Sequence, residues 1–328
     1  MDKILVTGGA GYIGSHVCKA LRKAGFLPVT YDNLSMGHKS AVKWGPFFEG
    51  DLQSISNLEK AFALHHPIAV MHFAASALVA ESILHPEKYY RNNVLGSLNL
   101  LEVSLKYGVK KVVFSSSCAT FGLAAIIPID ESSPQCPINP YGESKLMVEK
   151  ILRDFDKAHQ MKSVILRYFN AAGADLEGEL GENHTPETHL IPLVLQAALG
   201  YEPSLSVFGT DFTTPDGSAI RDYIHVNDLA EAHLLALQRL LKEEVSLAFN
   251  LGSGSGYSVL EVIEAVEKFT SQKLQVELKG RREGDPSILI ADNQKAKKEL
   301  FWTPKYSDLN TIISTGIRYY EKNSLVGL

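Results

Sequence analysis

The feature that most constrains the fold is a glycine-rich turn near the start of the chain. Gly8, Gly11 and Gly14 directly follow a short apolar run at 3–7 and open an amphipathic segment. A turn without Cβ atoms lets the backbone bend tightly and approach an anion, which the positive end of the helix dipole then faces. The segment therefore predicts a strand, a turn and a helix that hold a pyrophosphate. Alone, such a turn also occurs as an ordinary strand-to-helix connection.

The first half of the chain continues to alternate short apolar runs with longer amphipathic segments. Strands are predicted at 3–7, 28–32, 47–50, 69–73, 111–115 and 163–168, and helices at 13–25, 55–65, 87–106 and 140–159. Strands that alternate with helices indicate an α/β fold with a doubly wound, parallel, Rossmann-type sheet.

The alternation ends after about Ala174, in a glycine-rich acidic loop at 175–184. Helical periodicity returns at 227–241, 258–270, 293–300 and 309–322. A chain of 328 residues is long enough for about two domains. We therefore expect a first domain at 1–175, with a return segment near 216–242, and a smaller mixed α/β domain at 176–328.

Composition excludes several classes of function. The formal net charge is −5, which offers no general attraction to nucleic acid or to anionic membranes. The longest apolar stretch, at 68–80, is shorter than the roughly 20 residues that cross a bilayer. The first residues lack a signal-peptide pattern, and the three cysteines show no metal-binding or disulfide spacing. We expect a cytoplasmic protein with reduced thiols, and neither nucleic acid nor membrane as a partner.

Asp32 adds a second cofactor signal, because it ends the second predicted strand, eighteen residues after Gly14. A carboxylate there accepts hydrogen bonds from both ribose hydroxyls of an adenosine and repels a 2′-phosphate. The next basic residue is Lys39. The combination of strand, glycines, helix and acid favours NAD over NADP.

A candidate catalytic group lies at the start of the predicted helix 140–159. Tyr141 and Lys145 stand one turn apart on the same face, where an ammonium would lower the pKa of a neighbouring phenol. Alone, the pair is more often an exposed helix pair. Ser115, Ser116 and Ser117, however, end a strand at the carboxyl edge of the sheet, where a hydroxyl can hold a substrate oxygen. Together these residues predict proton transfer beside a nicotinamide.

Longer motifs make the chain resemble the UDP-glucose 4-epimerase family, in the extended branch of the short-chain dehydrogenase/reductase superfamily. The resemblance covers nearly the whole chain. The motifs are TGGAGYIGSH at 7–16, YDNL at 31–34, GDL at 50–52, HFAA at 72–75, NNVLGSLNLLE at 92–102, YGESK at 141–145, RYFNAAGA at 167–174, DGSAIRDYIHVNDLAEAH at 216–233 and RREGDP at 281–286.

The resemblance implies a role for individual residues. It places catalysis on Ser117, Tyr141 and Lys145. It implies NAD contacts at Gly8, Gly11, Tyr12, Ile13, Asp32, Asn33, Asp51, Leu52, Phe73, Ala74, Asn93, Ser115, Tyr141, Lys145 and Tyr168. It implies substrate contacts at Ser117, Tyr141, Asn170, Leu190, Phe208, Arg221, Arg282, Asp285 and Leu289. The first domain would then bind NAD and the second a UDP-sugar.

Two positions depart from the family pattern. Ala77 replaces a lysine that helps many members hold the cofactor pyrophosphate, so NAD retention is expected to be looser. Phe121 stands where tyrosine is frequent, with no mechanistic consequence expected.

The resemblance implies a reversible interconversion of UDP-glucose and UDP-galactose. The C4 hydride passes to bound NAD⁺, the 4-keto sugar rotates, and the hydride returns to its other face. Leu289 is intermediate in size at the position that gates N-acetyl groups, so a broader enzyme that also accepts UDP-GlcNAc and UDP-GalNAc is the alternative. A homodimer is expected through the helices at 87–106 and 140–159.

Three other functions remain open but are weaker. A sugar-nucleotide 4,6-dehydratase needs carboxylates beside the catalytic hydroxyl, whereas Ser117 is followed by Cys118, Ala119 and Thr120. A silent NAD-binding module would not need the Ser117, Tyr141 and Lys145 set. Metal-assisted hydrolysis is disfavoured because the sequence lacks H-E-x-x-H, so no metal site is predicted. His72 and His225 are expected to be hydrogen-bonded core residues.

Overall fold

The computed structural model describes residues 1–282 and 284–324. The strands are β1 (Lys3–Thr7), β2 (Leu27–Asp32), β3 (Phe47–Glu49), β4 (Ala69–His72), β5 (Lys111–Ser117), β6 (Lys162–Tyr168), β7 (Asn170–Ala172), β8 (Leu205–Phe208), β9 (Ile220–Arg221), β10 (Tyr223–His225), β11 (Leu247–Leu251), β12 (Tyr257–Ser258), β13 (Val276–Lys279) and β14 (Ile288–Leu289). The helices are α1 (Tyr12–Lys23), α2 (Ile55–His65), α3 (Val79–Leu84), α4 (Pro86–Tyr89), α5 (Gly96–Lys106), α6 (Pro140–His159), α7 (Leu190–Ala198), α8 (Val226–Glu243), α9 (Val259–Thr270), α10 (Gln294–Glu299) and α11 (Leu309–Ser324).

Seven parallel strands form the central sheet, in the order β11-β6-β5-β4-β1-β2-β3. The chain winds outward from β1 to β3 and then crosses to β4 on the other side of β1. This reversal creates a crevice at the carboxyl ends of β1 and β4, where open α/β sheets bind ligands. The doubly wound, Rossmann-type prediction is confirmed.

The six predicted strands lie in this sheet, but β11 was not predicted. Leu247–Leu251 pairs with β6, with Leu247 opposite Val164 and Leu251 opposite Tyr168. The partner strand lies about eighty residues earlier in the chain, and a local apolar pattern does not reveal a pairing over that distance.

Helices cover both faces of the sheet, so its strands are apolar on both sides. Ile4 and Val6 pack against α1 and α8, whereas Leu5 points to the opposite face, against α2, α5 and α6. Fully burying one such side chain contributes about 1.5–3 kcal/mol. This two-sided core fixes the positions at which the strands end.

The single helix predicted at 87–106 is not regular. It consists of α4, a π-helical segment at Tyr90–Leu95, and α5. The wider turns bring Asn93 inward, where its amide nitrogen donates to the Ser76 carbonyl at 3.0 Å and to the Ser144 hydroxyl at 2.9 Å. A periodic apolar pattern cannot show such a change of helix type.

The described second half of the chain contains short paired strands and five helices, of which α7, α9 and α11 pack around a separate core. The small sheets are β10-β7, β12-β9-β14 and β13-β8. The helices predicted at 227–241, 258–270, 293–300 and 309–322 are α8, α9, α10 and α11, whereas α7 was not predicted. Ile191, Val207, Val262 and Ile312 are among the residues of this core.

The predicted division at 1–175 and 176–328, with its return near 216–242, stays a prediction. Its second part includes Glu283 and residues 325–328, which lie outside the described residues. Among the helices that the structure describes, none has the length and apolar character needed to cross a bilayer. All three cysteines are free thiols.

Candidate active site

The glycine-rich turn lies in the crevice between β1 and β4. Gly8 has φ +73°, and a Cβ added there would lie 2.6 Å from the Ala74 backbone nitrogen. A Cβ at Gly14 would lie 2.2 Å from the Gly8 carbonyl oxygen, whereas one at Gly11 would meet only that oxygen, at 3.3 Å. Gly8 and Gly14 are therefore required by packing, and Gly11 borders open space.

The amino end of α1 is available for an anion. Gly11 is the N-cap, and no side chain of the described residues caps the helix there. Tyr12 begins α1 and donates its hydroxyl to the Gly173 carbonyl at 2.6 Å, while Ile13 packs against the core. The free backbone N–H groups and the helix dipole together suit a pyrophosphate.

Asp32 lies at the end of β2 beside this turn. Its carboxylate accepts hydrogen bonds from the backbone nitrogens of Ala10, at 3.0 Å, and Leu34, at 2.9 Å. Burial raises the pKa of Asp32, and these two bonds oppose the shift. The carboxylate is thus fixed at the strand end, with lone pairs left for ribose hydroxyls.

Asn33 and Asp51 lie together on the next loops, since the Asn33 amide donates to the Asp51 carboxylate at 2.8 Å. Leu52 is buried in the core next to them. Phe73 and Ala74 follow β4, and their backbone nitrogens donate to the Thr7 carbonyl at 2.9 and 3.1 Å. The structure therefore brings these predicted cofactor residues to the carboxyl edge of the sheet.

The serines that end β5 have different environments. The Ser115 hydroxyl donates to the Tyr168 hydroxyl at 3.0 Å, and the Ser115 carbonyl accepts from the Lys145 ammonium at 2.9 Å. Ser117 ends the strand and accepts from the Ala119 backbone nitrogen at 3.1 Å. Ser117 also hydrogen-bonds the side chain of Tyr141.

Tyr141 and Lys145 project toward β5 from the first turns of α6. Asn139 caps this helix by accepting from the Gly142 backbone nitrogen at 2.9 Å, and Pro140 follows, as the sequence predicts. The Lys145 nitrogen lies 5.9 Å from the centre of the Tyr141 ring. Both side chains are buried.

The expected effect of Lys145 on Tyr141 is not seen in the protein alone. Burial raises the pKa of Tyr141 well above its usual value, and the hydrogen bond with Ser117 only partly opposes this. Burial also lowers the pKa of Lys145, to about 7, while Glu149 raises it. The spacing argument left out desolvation, which favours the neutral form of each group, so the effect of Lys145 on the Tyr141 pKa stays a prediction.

The predicted substrate residues form two contacting groups in the second half. Arg221, at the end of β9, pairs with Asp285, and Leu289 lies beside Arg221 through the β9–β14 pairing. The Arg282 guanidinium lies over the Phe208 ring, 3.9 Å from its centre. These pairs offer cationic donors and an aromatic face.

Asn170 and Leu190 approach this region from separate elements. Asn170 begins β7, and its backbone nitrogen donates to the carbonyl of Asp222 at 3.0 Å. Leu190 begins α7 and packs against the second core. No contact between these two residues is recorded within the described parts of the chain.

The two departures from the family pattern differ in environment. Ala77 is exposed. Phe121 is buried in a small cluster that Leu289 also contacts, and the Arg167 guanidinium lies 5.4 Å from the centre of its ring. The ring therefore serves packing, which needs no hydroxyl.

His72 and His225 are hydrogen-bonded core residues, as predicted. His72 bonds the hydroxyls of Thr7, at 2.7 Å, and Ser97, at 2.8 Å. His225 bonds the Thr315 hydroxyl at 3.0 Å and accepts from the Asn227 backbone nitrogen at 3.1 Å.

Sequence analysis missed two buried acids that position the site. Glu149 is fully buried and accepts from Arg167 at 2.9 and 2.8 Å and from Ser116 at 2.7 Å. The position of Glu149 one helical turn after Lys145 was the sequence signal that could have revealed it.

Asp222 accepts from the Ser253 backbone nitrogen at 2.7 Å and from the backbone nitrogens of Gly254 and Ala291, both at 3.1 Å. It thereby ties the strand that carries Arg221 to the loop before β12. Its position inside the DGSAIRDY motif gave no indication of that role.

The residues present fit NAD. The turn at Gly11 leaves open space before an uncapped helix end, the Asp32 carboxylate is fixed beside it, and Lys145, Ser115 and Tyr168 meet farther along the same sheet edge. A carboxylate at that strand end fits a ribose rather than a 2′-phosphate.

Comparisons with known proteins agree with this geometry. Residues 4–252 match the NAD dependent epimerase/dehydratase family. The chain is 49% identical to the UDP-glucose 4-epimerase of Rhizobium leguminosarum bv. trifolii over 323 residues, covering 98% of both chains. The crystal structure of UDP-glucose 4-epimerase from Brucella ovis in complex with NAD gives a TM-score of 0.95 at 49% identity, covering 98% of both chains.

The UDP-glucose 4-epimerase from Bifidobacterium longum in complex with NAD⁺ and UDP gives a TM-score of 0.94 at 38% identity, covering 98% of this chain and 99% of that one. The family match spans more than half of the chain, and the sequence relative is matched over nearly its whole length. The chain therefore belongs to the NAD dependent epimerase/dehydratase family.

Proposed function

We propose that this chain interconverts UDP-glucose and UDP-galactose with bound NAD. The observation that carries the proposal is the meeting of Ser117, Tyr141 and Lys145 at the carboxyl edge of a sheet whose first turn is built for a pyrophosphate. NAD held between the turn at Gly11, Asp32 and Lys145 would supply the hydride acceptor for C4 of the sugar and the donor for its return to the opposite face.

The phenolate form of Tyr141 accepts the proton of the sugar 4-hydroxyl and returns it when C4 is reduced again, while Ser117 bonds the same oxygen. Since burial raises the pKa of Tyr141, the phenol needs a nearby positive charge to act as a base. We assign that charge to Lys145, whose nitrogen lies 5.9 Å from the centre of the Tyr141 ring, and we assign to the same ammonium a bond to the nicotinamide ribose.

We assign binding of the nucleotide to residues in the second half of the chain. Arg221 and Arg282 present planar donors to the diphosphate, and Phe208 offers an apolar face to uracil. Asn170, Leu190, Asp285 and Leu289 complete the predicted contacts. If UDP is bound firmly and the hexose loosely, the 4-keto sugar can rotate in the site without leaving it.

A dehydratase is disfavoured by the residues around Ser117. Cys118 and Thr120 follow it, and Thr120 donates its hydroxyl to the Ser117 carbonyl at 3.0 Å. Elimination of the 6-hydroxyl needs an acid and a base beside the catalytic hydroxyl, and Cys118 and Thr120 are neither.

We also propose a cytoplasmic homodimer. Tyr90 and Leu95 lie on the segment before α5 with about two fifths of their surface exposed, and Ile83 and Leu84 on α3 are more exposed. Exposed apolar residues on adjoining helices suit a helical interface. Light scattering after gel filtration should give twice the chain mass, and a monomer mass would contradict the interface.

The activity test uses the purified chain and UDP-galactose, with no cofactor added, followed by chromatography of the nucleotide sugars. The expected product is UDP-glucose. Tyr141→Phe should lose about 10²–10⁴-fold in rate, while the exposed Tyr107→Phe should not. Conversion only after addition of NAD⁺ would mean loose retention, consistent with Ala77. No conversion under either condition would contradict the proposal.

A further inference from the structure

We propose that Glu182, His184, Glu187 and His189 form a binding site for a divalent transition-metal ion of the Zn²⁺ type. The four residues lie in the loop between β7 and α7, and one ligand atom from each lies within 4.8 Å of all the others. This metal-site cluster contains none of the catalytic residues, and its Glu182 and Glu187 carboxylates are close enough to Tyr12 of the cofactor turn to add to the rise in the Tyr12 pKa that burial causes.

The distances suit four-coordinate binding. Two ligands of a tetrahedral zinc ion, each about 2.0–2.1 Å from it, lie roughly 3.4 Å apart. The Nδ1 atom of His184 lies 3.3 Å from Glu182 Oε1 and 3.7 Å from Glu187 Oε2, and His189 Nδ1 lies 3.5 Å from Glu187 Oε1. The 2.6 Å contact between His189 and Glu182 is a hydrogen bond that an ion would replace.

Two buried polar atoms inside the metal-site cluster have no hydrogen-bond partner among the described residues. They are His184 Nδ1, whose 3.3 Å contact with Glu182 Oε1 lacks the alignment of a hydrogen bond, and Glu187 Oε2, which lies 3.7 Å from that nitrogen. The Glu187 side chain is only 5% exposed, so water does not readily satisfy it. A buried acceptor without a partner costs about 1–3 kcal/mol, more if charged, and a cation between the two atoms removes that cost.

The donor set also fits a transition ion better than calcium or magnesium. Two imidazoles and two carboxylates are ligands typical of zinc, whereas calcium and magnesium prefer oxygen ligands alone. Four protein ligands leave no open position, which is the pattern of a structural site. On binding, each imidazole gives up any proton on Nδ1 to solvent, and no oxidation or reduction occurs.

A second acidic cluster on the same loop already has a cation between its carboxylates. Asp175, Glu177 and Glu179 also converge, but the Lys19 ammonium already lies between them, at 2.8, 2.7 and 2.6 Å. Lys19 supplies the positive charge there. The metal-site cluster has no lysine or arginine among its recorded ion pairs within the described chain.

A bound ion would stiffen the segment that links the two halves of the fold. His189 directly precedes Leu190, which begins α7 and is a predicted substrate contact. At the other end, the Tyr12 hydroxyl of the cofactor turn holds the Gly173 carbonyl. The ion would therefore fix the loop 173–190 against the site, with an effect on stability and substrate affinity and not on the chemistry itself.

The test is metal binding by the full-length, untagged chain after treatment with a chelator. Titration with Zn²⁺, read by elemental analysis after gel filtration, should give one zinc per chain. Co²⁺ should give the visible absorption of a four-coordinate ion with nitrogen and oxygen ligands. Zinc should also raise the melting temperature. If the wild-type chain binds no zinc and gives no such cobalt spectrum, the proposal is wrong.

Variants locate the ion. Glu187→Gln and His184→Gln should each weaken zinc binding by about 100-fold or more, because each removes one ligand. Glu177→Gln, on the same loop but outside the metal-site cluster, should bind zinc like the wild type. Circular dichroism checks that each variant folds. Unchanged zinc binding in both ligand variants would overturn the assignment.

Discussion

The carboxylate of Glu149 lies one helical turn beyond Lys145 on α6, and its charge raises the Lys145 pKa against the lowering that burial causes. Arg167 holds that carboxylate with two hydrogen bonds at 2.9 and 2.8 Å, and Arg153 adds a third at 3.0 Å. Tyr141, Lys145 and Glu149 thus occupy successive turns of one helix face. Glu149 therefore favours the charged form of Lys145, and Tyr141 needs that positive charge to act as a base.

Replacement of Glu149 should therefore change the pH dependence of turnover. In Glu149→Gln the Lys145 pKa falls further, so the ammonium is lost at lower pH and the alkaline decline of kcat moves to lower pH. The variant also leaves the buried Arg167 guanidinium without its carboxylate, with only neutral acceptors such as Gln135, at a cost of up to about 3–5 kcal/mol in unfolding free energy. Glu149→Asp should restore part of the profile, and the neighbouring Lys150→Gln should leave it unchanged. An unshifted profile in folded Glu149→Gln would refute the coupling.

Asp32 should set the choice of dinucleotide. Asp32→Asn removes the charge that we expect to bind the ribose hydroxyls, and hydrogen bonds to a charged group are worth about 1.5–3 kcal/mol, or roughly 10–150-fold in affinity. We expect calorimetry to show this loss for NAD and a smaller loss for NADP. Glu49→Gln, an exposed change on the neighbouring strand, is the control. Equal losses for the two dinucleotides would count against the assignment.

Four buried histidines should make the fold sensitive to mild acid. Burial lowers the pKa of His72 and His225 to about 3 and that of His16 and His233 to about 4, whereas an unfolded histidine titrates near 6.5. Below pH ~6.5 the unfolded chain takes up protons that the folded chain does not, so stability falls as pH falls. The limiting slope is about 1.4 kcal/mol per pH unit for each histidine.

Urea unfolding between pH 4.5 and 6.5, above the range where most carboxylates titrate, measures this slope. His72→Gln should reduce it, and His159→Gln, at an exposed position, should not. If the slope of unfolding free energy against pH is the same in the wild type, His72→Gln and His159→Gln, then His72 is protonated in the folded chain.

Leu289 should influence which hexose is accepted. It packs beside Phe121 and lies opposite Arg221 in the β9–β14 pair, within the proposed sugar pocket. Leu289→Tyr should lower the ratio of UDP-GlcNAc to UDP-glucose turnover by about 10-fold or more, since steric changes in a pocket are worth roughly 1–3 kcal/mol. Ile288→Val, on the same strand, is the control. A parallel loss of both activities would argue against a gate at this position.

Local sequence patterns were enough to predict the fold class, the glycine-rich turn and the first six strands of the central sheet. These depend on local patterns: glycines where a Cβ would meet backbone, apolar runs buried on both faces, and the Asn139 and Pro140 helix start. The resemblance in the longer motifs supplied the substrate residues. Each of these signals lies within a short stretch of chain.

Features that depend on residues far apart in the sequence could be seen in the three-dimensional structure and not in the sequence patterns. The pairing of β11 with β6, the π-helical turn at Asn93 and the burial of Tyr141 arise from contacts between segments far apart in sequence. The pKa shifts of Tyr141 and Lys145 follow desolvation, which helix spacing does not report. The convergence of Glu182, His184, Glu187 and His189 depends in the same way on how an irregular loop folds back on itself, for which no periodic pattern exists.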